Sequence, residues 1–94
     1  DGRLAGCAAL RGLDNDAGEM KRLYVRPEFQ GLGLGRKLTG RIVEEARRIG
    51  YRVLRLDTLP QLGRAIGMYR GMGFREIPPY GDNPAEAICF EKAL

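Results

Sequence analysis

Between Leu23 and Arg36 the chain reads LYVRPEFQGLGLGR, and this stretch limits what the chain can fold into more than any other. Leu23, Tyr24 and Val25 are a short apolar run of the kind that makes a strand. Arg26-Pro27 ends it, because proline removes a ladder donor and biases its predecessor toward extended backbone. Gly31, Gly33 and Gly35 follow at every second position, and a helical pattern begins directly after them. A strand, a glycine-rich turn and a helix N-terminus together make an anion site. Backbone without side chains approaches a phosphate closely, its N–H groups point one way, and the helix dipole adds fractional positive charge. Arg36 and Lys37 are unfavourable in a first helical turn unless an anion sits in front of them.

Spacing excludes two phosphate motifs. A dinucleotide fingerprint would need its third glycine at Arg36 or Leu38, and a P-loop would need Lys-Ser/Thr after Gly35, where Arg36-Lys37-Leu38 stands. The segment instead resembles the acyl-CoA pyrophosphate loop of the GNAT superfamily of N-acetyltransferases. The family pattern Gln/Arg-x-x-Gly-x-Gly/Ala is matched by Gln30-Gly31-Leu32-Gly33-Leu34-Gly35. The resemblance implies acetyl-CoA as cofactor, with Gln30, Gly31, Leu32, Gly33, Leu34, Gly35 and Arg36 around its diphosphate.

A chain of 94 residues has room for one domain, read here as residues 1–94. Its 44% hydrophobic and 30% charged composition is that of an ordinary globular chain. It carries no apolar run of about 18 residues and no leader pattern, so no membrane partner is expected and a cytoplasmic location is. Histidine is absent, and Cys7 and Cys89 form no CxxC, so reduced, packed thiols are expected and a metal site is not. The missing histidine also removes Ser/His and Cys/His nucleophilic chemistry. A net charge of +4 favours a polyanionic partner, which CoA satisfies. A nucleic-acid partner is not expected, because aromatic and basic residues are not interleaved.

Along the chain, residues 3–11 read as a strand, Leu13 to Gly18 as a turn, and Glu19 to Val25 as the second arm of a hairpin. A helix is predicted from about Gly33 to Ile49, with Leu34, Leu38, Ile42, Ala46 and Ile49 on one stripe and Gly50 as its stop. Tyr51 to Thr58 is a strand closed by Pro60. A second helix follows from Gln61 to about Arg70, with Leu62, Ala65, Ile66 and Tyr69 at helical spacing. Phe74 to Ile77 and Ala87 to Lys92 are strands expected to pair antiparallel, across a long turn from Pro78 to Pro84. The fold class is α/β, a mixed sheet in the order β-β-α-β-α-β-β. That order is similar to the GNAT core from its third strand to its seventh, and Ala65 to Phe74 resembles the family's fourth-helix signature. The family's first strand and first two helices have no counterpart before Asp1, so the chain reads as N-terminally truncated. Uncovered apolar faces would then favour self-association as a homodimer.

Acetyl transfer from a thioester needs an oriented amine, a polarised carbonyl, a base for the ammonium and an acid for the thiolate. The resemblance implies that the backbone of Leu23, Tyr24 and Val25 pairs with pantetheine and the acetyl oxygen, because this strand splays from the one at Tyr51 to Asp57. It implies Tyr69 as the general acid, although the apolar stripe of its helix equally makes Tyr69 a core aromatic. Glu19 is the best carboxylate for the base, because it lies eleven residues before Gln30, the spacing at which some members of the family it resembles carry a glutamate base. A water-mediated base and a solvated hairpin residue are its alternatives. Asp57 is a weaker candidate, and Glu28 reads as loop surface. Where many members carry an asparagine, seven residues before the tyrosine, this chain has Leu62. The reading is an N-acetyltransferase acting by direct attack in a ternary complex on an amine of a small molecule or protein, with a non-catalytic CoA-binding module as the alternative.

Overall fold

In a computed structural model of the chain, residues 6–25 and 33–94 are described. The elements run β1 (Gly6–Gly12), β2 (Ala17–Val25), α1 (Leu34–Ile49), β3 (Val53–Thr58), α2 (Gly63–Gly71), β4 (Arg75–Ile77) and β5 (Ile88–Ala93). Element types and order follow the sequence reading; among the described residues the ends differ by at most two residues, where hydrogen bonding frays.

The five strands form one mixed sheet in the order β1-β2-β3-β5-β4. β1 and β2 make the expected hairpin. Asp14 closes it, its Oδ1 accepting from the backbone N–H of Asp16 at 2.7 Å and of Ala17 at 2.8 Å. β2 and β3 are parallel, because α1 crosses over between them. β3 with β5 and β4 with β5 are antiparallel, the latter as the sequence predicts.

Strand alternation sorts the sheet into two faces. Met20, Leu54, Leu56 and Phe90 join Val43 and Ala46 of α1, Tyr69 of α2 and Phe74 in the buried core. The other face carries charge. Arg11 stands opposite Glu19, Glu19 opposite Arg55, Arg55 opposite Glu91, and Glu91 opposite Arg75. One row across all five strands thus alternates in sign. Arg11 Nη2 donates to Glu19 Oε1 at 2.7 Å, Arg55 Nε to Glu91 Oε2 at 2.9 Å, and Arg75 Nη2 to Glu91 Oε1 at 3.3 Å. Opposite charges directly across a ladder fix register, since a slip by one residue would break every pair.

The buried face of α1 differs from the expected stripe. Thr39, Val43 and Ala46 face the sheet, Leu34 and Leu38 are partly buried, and Ile49 is 55% exposed. Small side chains at Thr39 and Ala46 let the helix approach the strands closely. The Thr39 hydroxyl donates to the Gly35 carbonyl at 2.8 Å, so burying it leaves no polar group unmatched. Ile49, in the last turn before Gly50, has left the sheet. Gly50 itself, with φ 105°, closes the helix in the left-handed conformation that the sequence predicts.

Candidate active site

The ladder between β2 and β3 pairs Ala17 with Val53, Gly18 with Leu54 and Glu19 with Arg55. Both strands continue beyond this rung, β2 to Val25 and β3 to Thr58, and among the described residues no further pairing joins them. β2 stays paired with β1 as far as Val25, with a register irregularity between Cys7 and Ala9. The sheet therefore splits in its middle. Leu23, Tyr24 and Val25, the three residues assigned by resemblance to hold pantetheine and the acetyl oxygen, lie on the β2 lip of the split.

A cleft of about 320 Å³ runs through the split. Met20, Leu56, Leu62, Ala65 and Tyr69 line it from the core and α2 side, and Lys21, Asp57 and Pro84 from the charged face. Tyr69 has a position compatible with both roles that the sequence leaves open. It is 3% exposed, and its ring packs edge-on to Phe74 at 5.7 Å and tilted to Phe90 at 6.1 Å, yet it also forms part of the cleft wall. Burial pushes its phenol up to about 12, so it is protonated at neutral pH and can donate.

Glu19 is 1% exposed, which overturns its alternative as a solvated hairpin residue. A carboxylate this buried needs partners, and among the described residues it has three. Oε1 accepts from Arg11 and lies 3.6 Å from Lys21 Nζ, while the Tyr80 hydroxyl donates to Oε2. Lys21 Nζ is also 3.6 Å from Asp57 Oδ2, an ion pair that spans the split two residues beyond the last backbone pairing. Asp57 Oδ2 in turn accepts from Asn83 Nδ2 at 2.8 Å, and Asn83 Oδ1 accepts from the backbone N–H of Tyr80 and Gly81. The segment 78–84 is thus pinned over the carboxylates. Burial, and then the hydrogen bond to Glu19, raise the Tyr80 phenol far above its ordinary range. The Arg55 guanidinium lies over the Tyr80 ring, 5.6 Å from its centre.

Sequence reasoning reached Glu19, Asp57 and Tyr69 but missed Lys21, Tyr80 and Asn83. Lys21 was legible, two residues from Glu19 on the same strand face. Tyr80 and Asn83 were not, because no local pattern says where a proline-bounded turn lands.

On the other side of the split, Gly33 is the N-cap of α1 with φ 79° and ψ 7°, and no side chain caps the helix among the described residues. The first intrahelical bond runs from Lys37 N–H to the Gly33 carbonyl at 3.1 Å, so the N–H groups of Leu34, Gly35 and Arg36 lie ahead of it and point out of the helix end. A Cβ built on Gly71 would meet Arg36 Nη1 at 3.9 Å, so the guanidinium lies at the close of α2. Uncapped amides, a cation and no acidic side chain in the first turn fit a diphosphate. Gln30, Gly31 and Leu32, like Glu28, lie outside the described residues. Leu62, which replaces the family's asparagine, is 49% exposed at the cleft wall and offers no polar contact. No helix among the described residues is long and apolar enough to cross a membrane.

Residues 1–74 match the family model described as Acetyltransferase (GNAT) family. An uncharacterised N-acetyltransferase of Schizosaccharomyces pombe is 39% identical over 90 residues, covering 95% of this chain and 55% of its own length. An acetyltransferase of Streptococcus agalactiae superimposes with a TM-score of 0.88 at 26% identity, over 98% of this chain and 61% of that one. A GNAT family acetyltransferase of Elizabethkingia anophelis, solved with acetyl-CoA bound, has the same fold at a TM-score of 0.83 and 22% identity, over 98% of this chain and 70% of that one. The chain therefore spans little more than half the length of the yeast relative that it matches. A sheet split between β2 and β3, a glycine turn leading into an uncapped helix, and the match over residues 1–74 lead to one conclusion: the chain belongs to the GNAT acetyltransferase family.

Proposed function

We propose that the chain is the cofactor-binding and catalytic part of an acetyl-CoA-dependent N-acetyltransferase. The observation that carries this reading is the split between β2 and β3, which turns a closed sheet into a passage with a phenol on one side and paired carboxylates on the other. The diphosphate lies against the N–H groups at Gly33–Arg36, and the pantetheine arm adds to the unpaired lip of β2. Backbone N–H groups of Leu23–Val25 polarise the thioester carbonyl. The acceptor amine enters from the charged face, where Glu19 and Asp57 favour a cation and take up its proton. Tyr69, buried and protonated, supplies the proton to the departing sulfur.

The acceptor is a primary amine, and the reaction is direct transfer in a ternary complex. A non-catalytic CoA-binding module is less consistent with the charged face, since a binder needs no carboxylates across the split from the thioester. Location in the cytoplasm and assembly as a homodimer complete the reading.

Thermal unfolding with acetyl-CoA, CoA and single-stranded DNA tests the binding half. A ligand at about 100 times its Kd stabilises by about 2.7 kcal/mol, and only the first two ligands should do so. Thiol release with a panel of primary amines tests turnover. Stabilisation without thiol release on any amine would support the binding module instead.

A further inference from the structure

Lys21 occupies the place where an acceptor amine belongs. Its ammonium nitrogen lies 3.6 Å from Glu19 Oε1 and 3.6 Å from Asp57 Oδ2, at the charged-face mouth of a cleft whose other wall includes Tyr69. Lys21 is two residues before Leu23 on the same strand, about 6–7 Å along its axis, within reach of an extended lysine side chain. The other two lysines differ. Lys37 is exposed on α1, and Lys92 donates to the Met72 carbonyl at 2.9 Å.

We propose that Lys21 is a self-acetylation site, taking the acetyl group from acetyl-CoA bound to its own chain when no acceptor fills the cleft. This rests on the acetyltransferase reading above. The ammonium first gives one proton to Glu19 or Asp57 and through it to solvent. The freed Nζ lone pair then forms the N–C bond to the thioester carbonyl carbon. As the C–S bond breaks, sulfur leaves with its electron pair and takes a proton from Tyr69, which the nitrogen's second proton replaces. The products are Nε-acetyl-Lys21, CoA thiol and one proton in solution. Nothing beyond acetyl-CoA is consumed.

The modification has a local consequence. An acetylated Lys21 is neutral, so the cation that, among the described residues, alone is shared by Glu19 and Asp57 disappears and the clasp across the split opens.

The test is intact-mass and peptide-mapping analysis of the protein incubated with acetyl-CoA, with thermal unfolding run in parallel to read binding. The expected result is one acetyl group per chain, on Lys21, formed at a rate that dilution of the protein does not change. Lys37 should lag by about tenfold or more, since proximity and not exposure selects the nucleophile. Lys21→Arg keeps the cation and should gain no acetyl group, and Tyr69→Phe should slow the gain. Stabilisation by acetyl-CoA with Lys21 unmodified overturns the proposal while leaving the acetyltransferase reading intact. Equal modification of Lys37 overturns it as well, by showing chemical acetylation at exposed amines. No stabilisation by acetyl-CoA overturns both.

Discussion

The Tyr80 hydroxyl donates to Glu19 Oε2 across 61 residues of sequence, and with the Asn83–Asp57 hydrogen bond this contact fastens the turn at 78–84 to the middle of the sheet. Glu19 keeps Arg11 at 2.7 Å when the phenol is removed. Tyr80→Phe should therefore lower stability by about 1–2 kcal/mol, the range for a hydrogen bond to a charged group that retains another partner. In a domain this small that is a fall in Tm of about 5–10 °C by circular dichroism. An unchanged Tm would mean that the turn is held by Asn83 and Asp57 alone.

Tyr69 separates packing from chemistry. Tyr69→Phe keeps the ring between Phe74 and Phe90 and removes only the hydroxyl. Thiol release with a competent amine should slow by about 10²–10⁴-fold, while acetyl-CoA affinity by calorimetry stays the same. Equal losses in rate and affinity would assign Tyr69 to the core alone.

Stability should fall at both ends of the pH scale, for opposite reasons. Tyr69 and Tyr80 have phenols raised in the folded state above the ordinary value near 10, chiefly by burial. Their contribution is complete below about pH 10 and is lost as pH climbs from there toward the folded values. For Tyr69, raised to about 12, the loss is about 2–3 kcal/mol. Glu91 runs the other way: the hydrogen bond from Arg55, with help from Arg75, holds its carboxyl below the usual range. Its contribution is present above the unfolded carboxylate value and disappears as pH falls through the folded one. Urea midpoints measured against pH should bend down at both ends. Tyr69→Phe should flatten the alkaline limb and Glu91→Gln the acid limb.

Two glycines can be tested with one substitution each. Gly18 is buried, and a Cβ there would sit 2.9 Å from the Tyr51 ring and 3.1 Å from Leu10. Gly18→Ala should cost about 1–3 kcal/mol through overpacking. At Gly33 there is open space for a Cβ, but φ is +79°. Gly33→Ala should therefore cost about 1–2 kcal/mol in backbone strain alone. It should also weaken CoA binding, because relief of that strain turns the first amides of α1 away. Chemical denaturation and calorimetry read the two effects separately.

The sequence by itself determined the order and type of every element, because each rests on local chemistry. Strand runs alternate, Asp14 makes a turn, and Gly50 stops a helix wherever the rest of the chain goes. Glycine spacing, a local property, also marked Gln30–Arg36 as a candidate anion site, and the family resemblance named Tyr69 and Glu19 as the groups to watch. Which stripe of α1 is buried was undecidable at that level, because two apolar stripes overlap and only the depth of the sheet surface selects the one bearing Thr39 and Ala46. The same holds for the site's charged face. Arg11, Glu19, Arg55, Glu91 and Arg75 become one row only when five strands take their register, and Lys21 meets Asp57 only where two strands part. Tyr80 reaches Glu19 by a path no periodicity encodes. Contacts between distant segments depend on how packed layers sit against each other, and that is settled by the whole fold at once.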